Sequence, residues 1–85
     1  MVMAFEVLNR LKWKGGLERC EIVILHRGAP EDRKTIHGSQ ITGMDRHYFW
    51  YKNGRETTIP LHRIREVRLE GETLWKRKEK PEKQD

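Results

Sequence analysis

The dipeptide Asn53-Gly54 is the feature that most constrains how this chain can fold. It lies between an aromatic-rich, strand-like run, His47 to Tyr51, and a second β-prone run, Thr57 to Ile59. Asn-Gly between two such runs favours a tight turn with positive φ angles, and a turn of this kind joins two neighbouring antiparallel strands. The sequence therefore predicts a β-hairpin at this point.

A series of strands precedes this hairpin. Cys20 to Leu25 is almost continuously apolar, which is typical of a strand that is covered on both faces. Lys34 to His37 is predicted to form a second, shorter strand. The intervening Gly28 to Asp32 has the composition of a loop, and Gly38 to Ile41 is interpreted as a turn.

A second hairpin is predicted after the first one. Pro60 cannot donate a hydrogen bond to a strand ladder, so it is expected to end the return strand. Leu61 to Ile64 is predicted to form one helical or tight turn. Arg65 to Leu69 and Thr73 to Trp75 then flank the turn residues Glu70-Gly71-Glu72, and both runs are predicted to be strands of one hairpin.

The N-terminal segment, Val2 to Trp13, is predicted to be a short amphipathic helix. Val7 and Leu11 are four positions apart, as residues on one face of a helix are. Trp13 is expected to cover the end of this apolar face. Gly15-Gly16 follows, and a glycine pair ends helices and permits left-handed turns. A helix this short is not stable alone, so it is expected to pack on the rest of the chain.

The predicted fold class is α+β: a short N-terminal helix packed on a curled antiparallel sheet, or on a partly open small β-barrel, of five or six strands. The 85 residues suffice for one small domain with one thin core. We assign residues 1–77 to that domain and predict that the charged tail 78–85 is disordered. Within the run Tyr48 to Tyr51, alternation sends two of the four rings inward, and the sequence leaves the phase open.

The charge balance points to a polyanionic partner. The net charge is +5 and the sequence pI is about 9.7, so nucleic acid or an anionic membrane face is attracted. The plain alternative is a solvated surface with a mild excess of lysine. Ten arginines against eight lysines favour nucleic acid, because guanidinium is the better phosphate fork. No apolar run reaches the length of a membrane span, and the single Cys20 suits the reducing cytoplasm.

The pair His62-Arg63 is the leading candidate for a binding site. Pro60 interrupts the strand just before it, which leaves nearby backbone donors to face a ligand. An imidazole N–H and a guanidinium can both donate to phosphate oxygens. The alternative is structural: His62 caps the turn, and Arg63 pairs with Glu66 three residues further on.

A second pair, His26-Arg27, stands where the apolar strand meets a Gly-Pro loop. Strand ends beside loops are common binding positions, although the pair can also simply mark where the strand leaves the core. If the two His-Arg pairs converge in space, they together form an anion pocket. The remaining cations stand near tryptophans: Arg10 and Lys12 near Trp13, and Lys76 and Arg77 near Trp75. The alternative is that the first two lie on a solvated helix face and that the tryptophans belong to the core. The candidate ligand-binding residues are His62, Arg63, His26, Arg27, Arg10, Lys12, Trp50, Lys76 and Arg77.

Metal and cofactor chemistry receives no support from the sequence. The four histidines lack the spacing of metal ligands, and a lone cysteine argues against structural zinc. There is no glycine-rich phosphate loop that ends in Lys-Ser or Lys-Thr. We therefore predict no metal, no cofactor and no assigned catalytic residue.

Four blocks run through most of the chain, from about Val7 to Arg77: Leu8-Asn9-Arg10-Leu11-Lys12-Trp13, Glu21 to Pro30, Gly38-Ser39-Gln40-Ile41 and Ile59 to Arg77. Together they resemble the RNA cyclic-group end recognition domain, a small domain best represented in archaea. The resemblance implies a binding module with a pocket for a 2′,3′-cyclic phosphate or a related processed RNA terminus.

Two other hypotheses compete with this one. A small phosphoesterase or ribonuclease would use two histidines as general base and acid, with a cation on the phosphate. A basic adaptor would dock on ribosomal RNA or a protein complex. We favour RNA binding without catalysis, with single-stranded RNA ends as the partner, no membrane contact and a cytoplasmic location.

Overall fold

The structure is a computed structural model, and it describes residues 3–77. The disorder predicted for the tail 78–85 lies outside the described residues. Within them the chain forms one helix and seven strands, joined by loops and single 3₁₀ turns. The elements are α1 (Ala4–Lys14), β1 (Cys20–Leu25), β2 (Arg33–His37), β3 (Ile41–Met44), β4 (Tyr48–Lys52), β5 (Glu56–Pro60), β6 (Ile64–Leu69) and β7 (Glu72–Lys76).

The strands form two antiparallel sheets. One has four strands in the order β2-β1-β6-β7, and the other has three in the order β3-β4-β5. The predicted α+β class, with an N-terminal helix on an antiparallel sheet, is confirmed. The two sheets do not close into a barrel. The described residues contain seven strands, one more than the upper expectation of six. The additional strand is β3, into which the turn at Gly38 leads directly.

Helix α1 begins and ends where local chemistry requires. The Glu6 carboxylate accepts a hydrogen bond of 3.0 Å from the backbone N–H of Met3, which satisfies one otherwise unpaired donor at the N-terminus. Gly15 ends the helix with φ at 80°. Leu8 and Leu11 are buried in the core.

The expectation that Trp13 covers the apolar face of the helix is wrong. The side chain of Trp13 is 82% exposed. Trp13 lies two residues after the buried Leu11, and two residues turn a helix by roughly 200°. The indole therefore points away from the core. The prediction relied on the hydrophobicity of Trp13, whereas its angular position on the helix predicts exposure.

The phase of the aromatic run is settled by burial. Phe49 and Tyr51 are 0% and 6% exposed, whereas Tyr48 is 44% exposed. Trp50 is half-buried on the opposite face of β4 from Phe49. It covers Gly43 of β3, where an added Cβ would lie 3.5 Å from an indole carbon.

Both predicted hairpins are confirmed. Strands β4 and β5 pair from Tyr48 to Lys52, and the register leaves a three-residue loop in which Gly54 has φ at 84°. Strands β6 and β7 pair across Glu70 and Gly71, whose φ angles are 52° and 88°. Positive φ at both central residues matches the right-handed twist of the flanking strands.

Gly38 explains how β3 is placed. Its 3₁₀ turn, Gly38–Gln40, packs so closely on the turn before β1 that an added Cβ would overlap the carbonyl oxygen of Leu17. After this contact the chain runs directly into β3, which pairs with β4 through Ile41 and Tyr51. Only glycine allows so close an approach.

Candidate functional site

The pairing of β1 with β6 brings the two histidine–arginine pairs together. In this antiparallel ladder Ile24 lies opposite Ile64. His26-Arg27 follows β1 at the end where β6 begins, and His62-Arg63 immediately precedes β6. Two pairs that are far apart in the sequence therefore meet at one end of the four-stranded sheet, beside its two central strands.

A β-bulge adds a third arginine at the same end of the sheet. Val23 lies opposite Glu66, but the next residue, Ile24, lies opposite Ile64, so Arg65 is an extra residue in the ladder. A bulge re-aims side chains at the end of a strand. Here it allows Ile64 and Val67, which are three positions apart, both to be fully buried while Arg65 lines the surface cleft.

The resulting cleft is strongly cationic. Its volume is about 370 Å³. Three arginines contribute fixed positive charge, two histidines add imidazole donors, and none of the lining residues within 3–77 is acidic. The lining residues are Leu25, His26, Arg27, His62, Arg63 and Arg65. A concave surface that carries charge of one sign concentrates ions of the opposite sign, so the cleft is suited to an anion.

The donor groups of the two pairs are available to a ligand. The side chains of His26, Arg27, His62 and Arg63 are exposed, and none makes a hydrogen bond or ion pair with another residue of 3–77. The alternative in which Arg63 pairs with Glu66 is not realised. The Glu66 carboxylate instead accepts bonds of 2.9 Å from Arg68 and 2.6 Å from the Thr73 hydroxyl.

These bonds set the acidity of Glu66. The side chain of Arg68, followed by that of Thr73, holds the pKa of Glu66 below its ordinary value. The carboxylate is therefore committed to the β6–β7 hairpin and does not neutralise the cleft. The residue is 8% exposed, and a carboxylate at such a position needs these partners to remain charged.

The loop that carries His26-Arg27 is held by its own backbone. The N–H of His26 donates to the carbonyl of Asp32 over 2.8 Å, and the N–H of Ala29 donates to the carbonyl of His26 over 3.2 Å. Gly28 takes a φ of 96°, and its N–H lies 3.4 Å from the Asp32 carboxylate. The pair is therefore presented from a closed loop.

The turn that carries His62-Arg63 is held by Arg77. The Nε of Arg77 donates to the carbonyl of Ile64 over 2.9 Å, and a terminal nitrogen lies 3.4 Å from the carbonyl of Leu61. The guanidinium carbon also lies 5.3 Å from the centre of the Trp75 ring. Burial, with a smaller contribution from the neighbouring Arg65, lowers the pKa of Arg77. The guanidinium of Arg77 thus binds the carbonyls at both ends of this turn, and its proposed contact with a phosphate stays a prediction.

The remaining predicted residues lie elsewhere. Arg10 and Lys12 are exposed on α1, and Lys12 lines a separate surface groove beside Gly38. Trp50 belongs to the three-stranded sheet, and Lys76 is exposed on β7 opposite Glu66. The structure does not bring these four residues to the cleft, and their proposed contacts with RNA stay predictions.

Sequence reasoning missed Arg65 as a member of the cleft. In a regular strand Arg65 would share a face with Val67, which is fully buried, so simple alternation places Arg65 toward the core. The bulge breaks that alternation. The available signal was the turn after Pro60 together with His62, Arg63 and Arg65, which stand within four positions.

Comparison with known proteins identifies a family. The family model for the MJ1316 RNA cyclic group end recognition domain matches residues 1–77. The chain is 39% identical over 80 residues to the UPF0248 protein MJ1316 of Methanocaldococcus jannaschii, covering 89% of this chain and 95% of that protein. It is 38% identical over 79 residues to a UPF0248 protein of Methanococcus vannielii, with 88% and 92% covered.

A more distant relative comes from another archaeal genus. The UPF0248 protein M1425_2629 of Saccharolobus islandicus is 28% identical over 76 residues, with 85% of this chain and 95% of that protein covered. No solved structure matches the chain significantly. Within residues 3–77, α1 falls short of what a membrane crossing needs in length and apolar character.

Proposed function

The chain belongs to the MJ1316 RNA cyclic group end recognition domain family, and we propose that it binds RNA ends that carry a phosphate, with the 2′,3′-cyclic phosphate as the preferred form. The observation that carries this proposal is the meeting of His26-Arg27 with His62-Arg63 in one cleft that no acidic residue of the described range 3–77 lines. The ends are taken to be single-stranded, because a small cleft accepts a strand terminus more readily than a duplex.

The chemistry of the ligand matches the donors of the cleft. A cyclic phosphate carries one negative charge and no hydroxyl, so it can only accept hydrogen bonds. Arg27 and Arg63 offer charge-assisted donors, and Arg65 adds positive charge to the cleft. Each imidazole offers an N–H. A hydroxyl end presents no charge to these groups, and selectivity for the phosphate follows from this difference.

The experiment compares three single-stranded oligoribonucleotides of one sequence that end in a cyclic phosphate, a 3′-phosphate or a hydroxyl. Affinities are measured by fluorescence anisotropy. Arg63→Ala removes one charge-assisted contact, which is worth about 1.5–3 kcal/mol or roughly 10- to 100-fold in affinity for the phosphate end. His62→Ala is expected to lower the same selectivity.

The matched control is Arg55→Ala, because Arg55 is an exposed arginine in the β4–β5 loop and does not line the cleft. It removes the same charge and should leave the ratio of cyclic-phosphate to hydroxyl affinity unchanged. Full selectivity in both Arg63→Ala and His62→Ala would place the site elsewhere.

A catalytic alternative has one observation in its favour, since His26 and His62 line the same cleft. A phosphoesterase would use one as base and the other as acid. Among residues 3–77, however, no carboxylate is hydrogen-bonded to either imidazole, whereas catalytic histidines are commonly oriented by such a partner. We therefore propose recognition without turnover.

Incubation of the protein with a cyclic-phosphate dinucleotide tests this directly. The dinucleotide should stay cyclic when it is followed by chromatography. Hydrolysis that is lost in both His26→Ala and His62→Ala would make the chain an enzyme. A basic adaptor without end selectivity would instead bind the cyclic-phosphate and hydroxyl RNAs equally. We expect the protein to act in the cytoplasm, where the thiol of Cys20 stays reduced.

A further inference from the structure

We propose that a second cleft, which shares His62 with the first, receives the base of the nucleotide that carries the end phosphate. This inference rests on the proposed function. The second cleft has a volume of about 200 Å³. Its walls come from the start of α1, from the turn before β4, from the turn that carries His62, and from Arg77, which follows β7.

The floor and one wall of this cleft are apolar. Ala4 and Leu61 are 3% and 7% exposed and form its base. Met3 is 64% exposed, and Phe5 beside it is half-buried. An uncovered methionine next to an aromatic ring is a surface that gains from contact with a flat apolar partner. A nucleobase is such a partner, and bases that leave the stack are commonly held against aromatic side chains.

The cleft is also lined by Arg46 and His47, which a fixed turn carries. The carboxylate of Asp45 accepts hydrogen bonds of 2.8 Å from the backbone N–H groups of His47 and Tyr48. The carbonyl of His47 accepts a bond of 2.8 Å from the N–H of Leu61. The last bond continues the β4–β5 ladder to the turn that connects β5 with β6. The second cleft therefore lies where the chain passes from one sheet to the other.

Arg46 is available to a ligand. Its side chain is exposed and makes no hydrogen bond or ion pair within the described part of the chain. The planar guanidinium can stack on a base or bind the phosphate that precedes it. In the part of the chain that the structure describes, no acidic residue lines this cleft either. The charge therefore favours a nucleotide over a cationic or neutral apolar partner.

The shared histidine links the two clefts to one ligand. In a 2′,3′-cyclic phosphate, the phosphate and the base are attached to the same ribose. A nucleotide with its phosphate in the first cleft must place its base within the span of one sugar. His62 lines both clefts, so a ribose beside this imidazole can direct its phosphate into one cleft and its base into the other.

The test uses two oligoribonucleotides of one sequence, both ending in a cyclic phosphate. One has adenosine at the terminal position, and the other has an abasic ribose there. Stacking of one base should make the adenosine end bind about 5- to 100-fold more tightly to the unaltered protein. Arg46→Ala and Phe5→Leu should each reduce this ratio toward one. Arg55→Ala, which removes an equal charge outside both clefts, should leave the ratio unchanged.

The outcomes separate this inference from the function on which it rests. Equal affinity for the adenosine and abasic ends, together with intact preference for cyclic phosphate over hydroxyl, overturns the base subsite alone. A base preference that survives both Arg46→Ala and Phe5→Leu also overturns it. If the unaltered protein shows no preference for the cyclic-phosphate end over the hydroxyl end, both proposals are wrong. Arg46 is an exposed residue, so its variant remains informative even if Phe5→Leu fails to fold.

Discussion

Replacement of Arg77 tests whether its hydrogen bonds to backbone carbonyls hold the turn that presents His62-Arg63. Arg77→Ala removes the 2.9 Å bond to the carbonyl of Ile64, the longer 3.4 Å contact with that of Leu61, and the contact with the Trp75 ring. Arg77→Lys keeps the charge but loses the planar fork that reaches two carbonyls at once. The two variants therefore separate charge from geometry.

The expected magnitude follows from these contacts. A hydrogen bond to a charged donor contributes about 1.5–3 kcal/mol, and an exposed cation–π contact adds about 0.5–1 kcal/mol. The 3.4 Å contact is near the limit of hydrogen bonding and adds little. Because Arg77 is only half-buried, water replaces part of what is lost. We expect Arg77→Ala to cost about 2 kcal/mol, or roughly 8–16 °C in Tm for a domain of this size.

The assay combines unfolding with binding. Thermal and urea unfolding, followed by circular dichroism, give the change in free energy. Anisotropy below the Tm of each variant gives the ratio of cyclic-phosphate to hydroxyl affinity. We expect Arg77→Ala to lower both, Arg77→Lys to restore part of each, and Arg55→Ala to change neither. Stability of Arg77→Ala within about 0.5 kcal/mol of the unaltered protein, the range of neutral surface changes, would refute the reasoning.

Three further predictions address charge, acidity and packing. RNA affinity should fall more than about tenfold between 50 and 200 mM salt if roughly three to five phosphates are contacted; a flat dependence measured by anisotropy would contradict the cationic cleft. Glu66 has a lowered pKa, so its contribution to stability is complete above the unfolded value of about 4.3 and is lost as pH falls through the lower folded value. Urea unfolding of Glu66→Gln should therefore lose less stability between pH 6 and pH 3 than the unaltered protein does, and equal losses would contradict this. Gly38→Ala should destabilise the fold by about 1–3 kcal/mol or more, because the new Cβ overlaps the Leu17 carbonyl. Gly43→Ala is its matched control, since its Cβ makes an ordinary 3.5 Å contact, and equal Tm values for the two variants would show that the backbone yields at Gly38.

Local elements of the fold could be predicted from the sequence. The hairpin at Asn53-Gly54 and the one at Gly71 depend on residues that are neighbours along the chain, and turn chemistry specifies them. The helix end at Gly15 has the same local origin. β3 escaped prediction because it is only four residues long, contains Gly43, and is positioned by the distant contact of Gly38 with Leu17.

The candidate site was predictable only in its parts. His26-Arg27 and His62-Arg63 were recognised as pairs that would form an anion pocket if they converged. The sequence did not show how they meet, because their meeting depends on the ladder between β1 and β6, in which Ile22 lies opposite Val67. No local pattern specifies a pairing between such distant segments. The bulge at Arg65 is a property of that ladder, so it too lay beyond the reach of alternation.

The same ladder has a consequence for the order of folding. The whole three-stranded sheet lies between β1 and β6 in the sequence, and its strands connect by short loops. Contacts between near neighbours in the chain form sooner than those that close a long loop. We expect the meander β3-β4-β5 to form early and the β1–β6 ladder late. During synthesis the apolar strand β1 then waits with one edge uncovered until β6 emerges, which exposes it to aggregation. The cationic cleft between the two His-Arg pairs would then form only when this ladder closes.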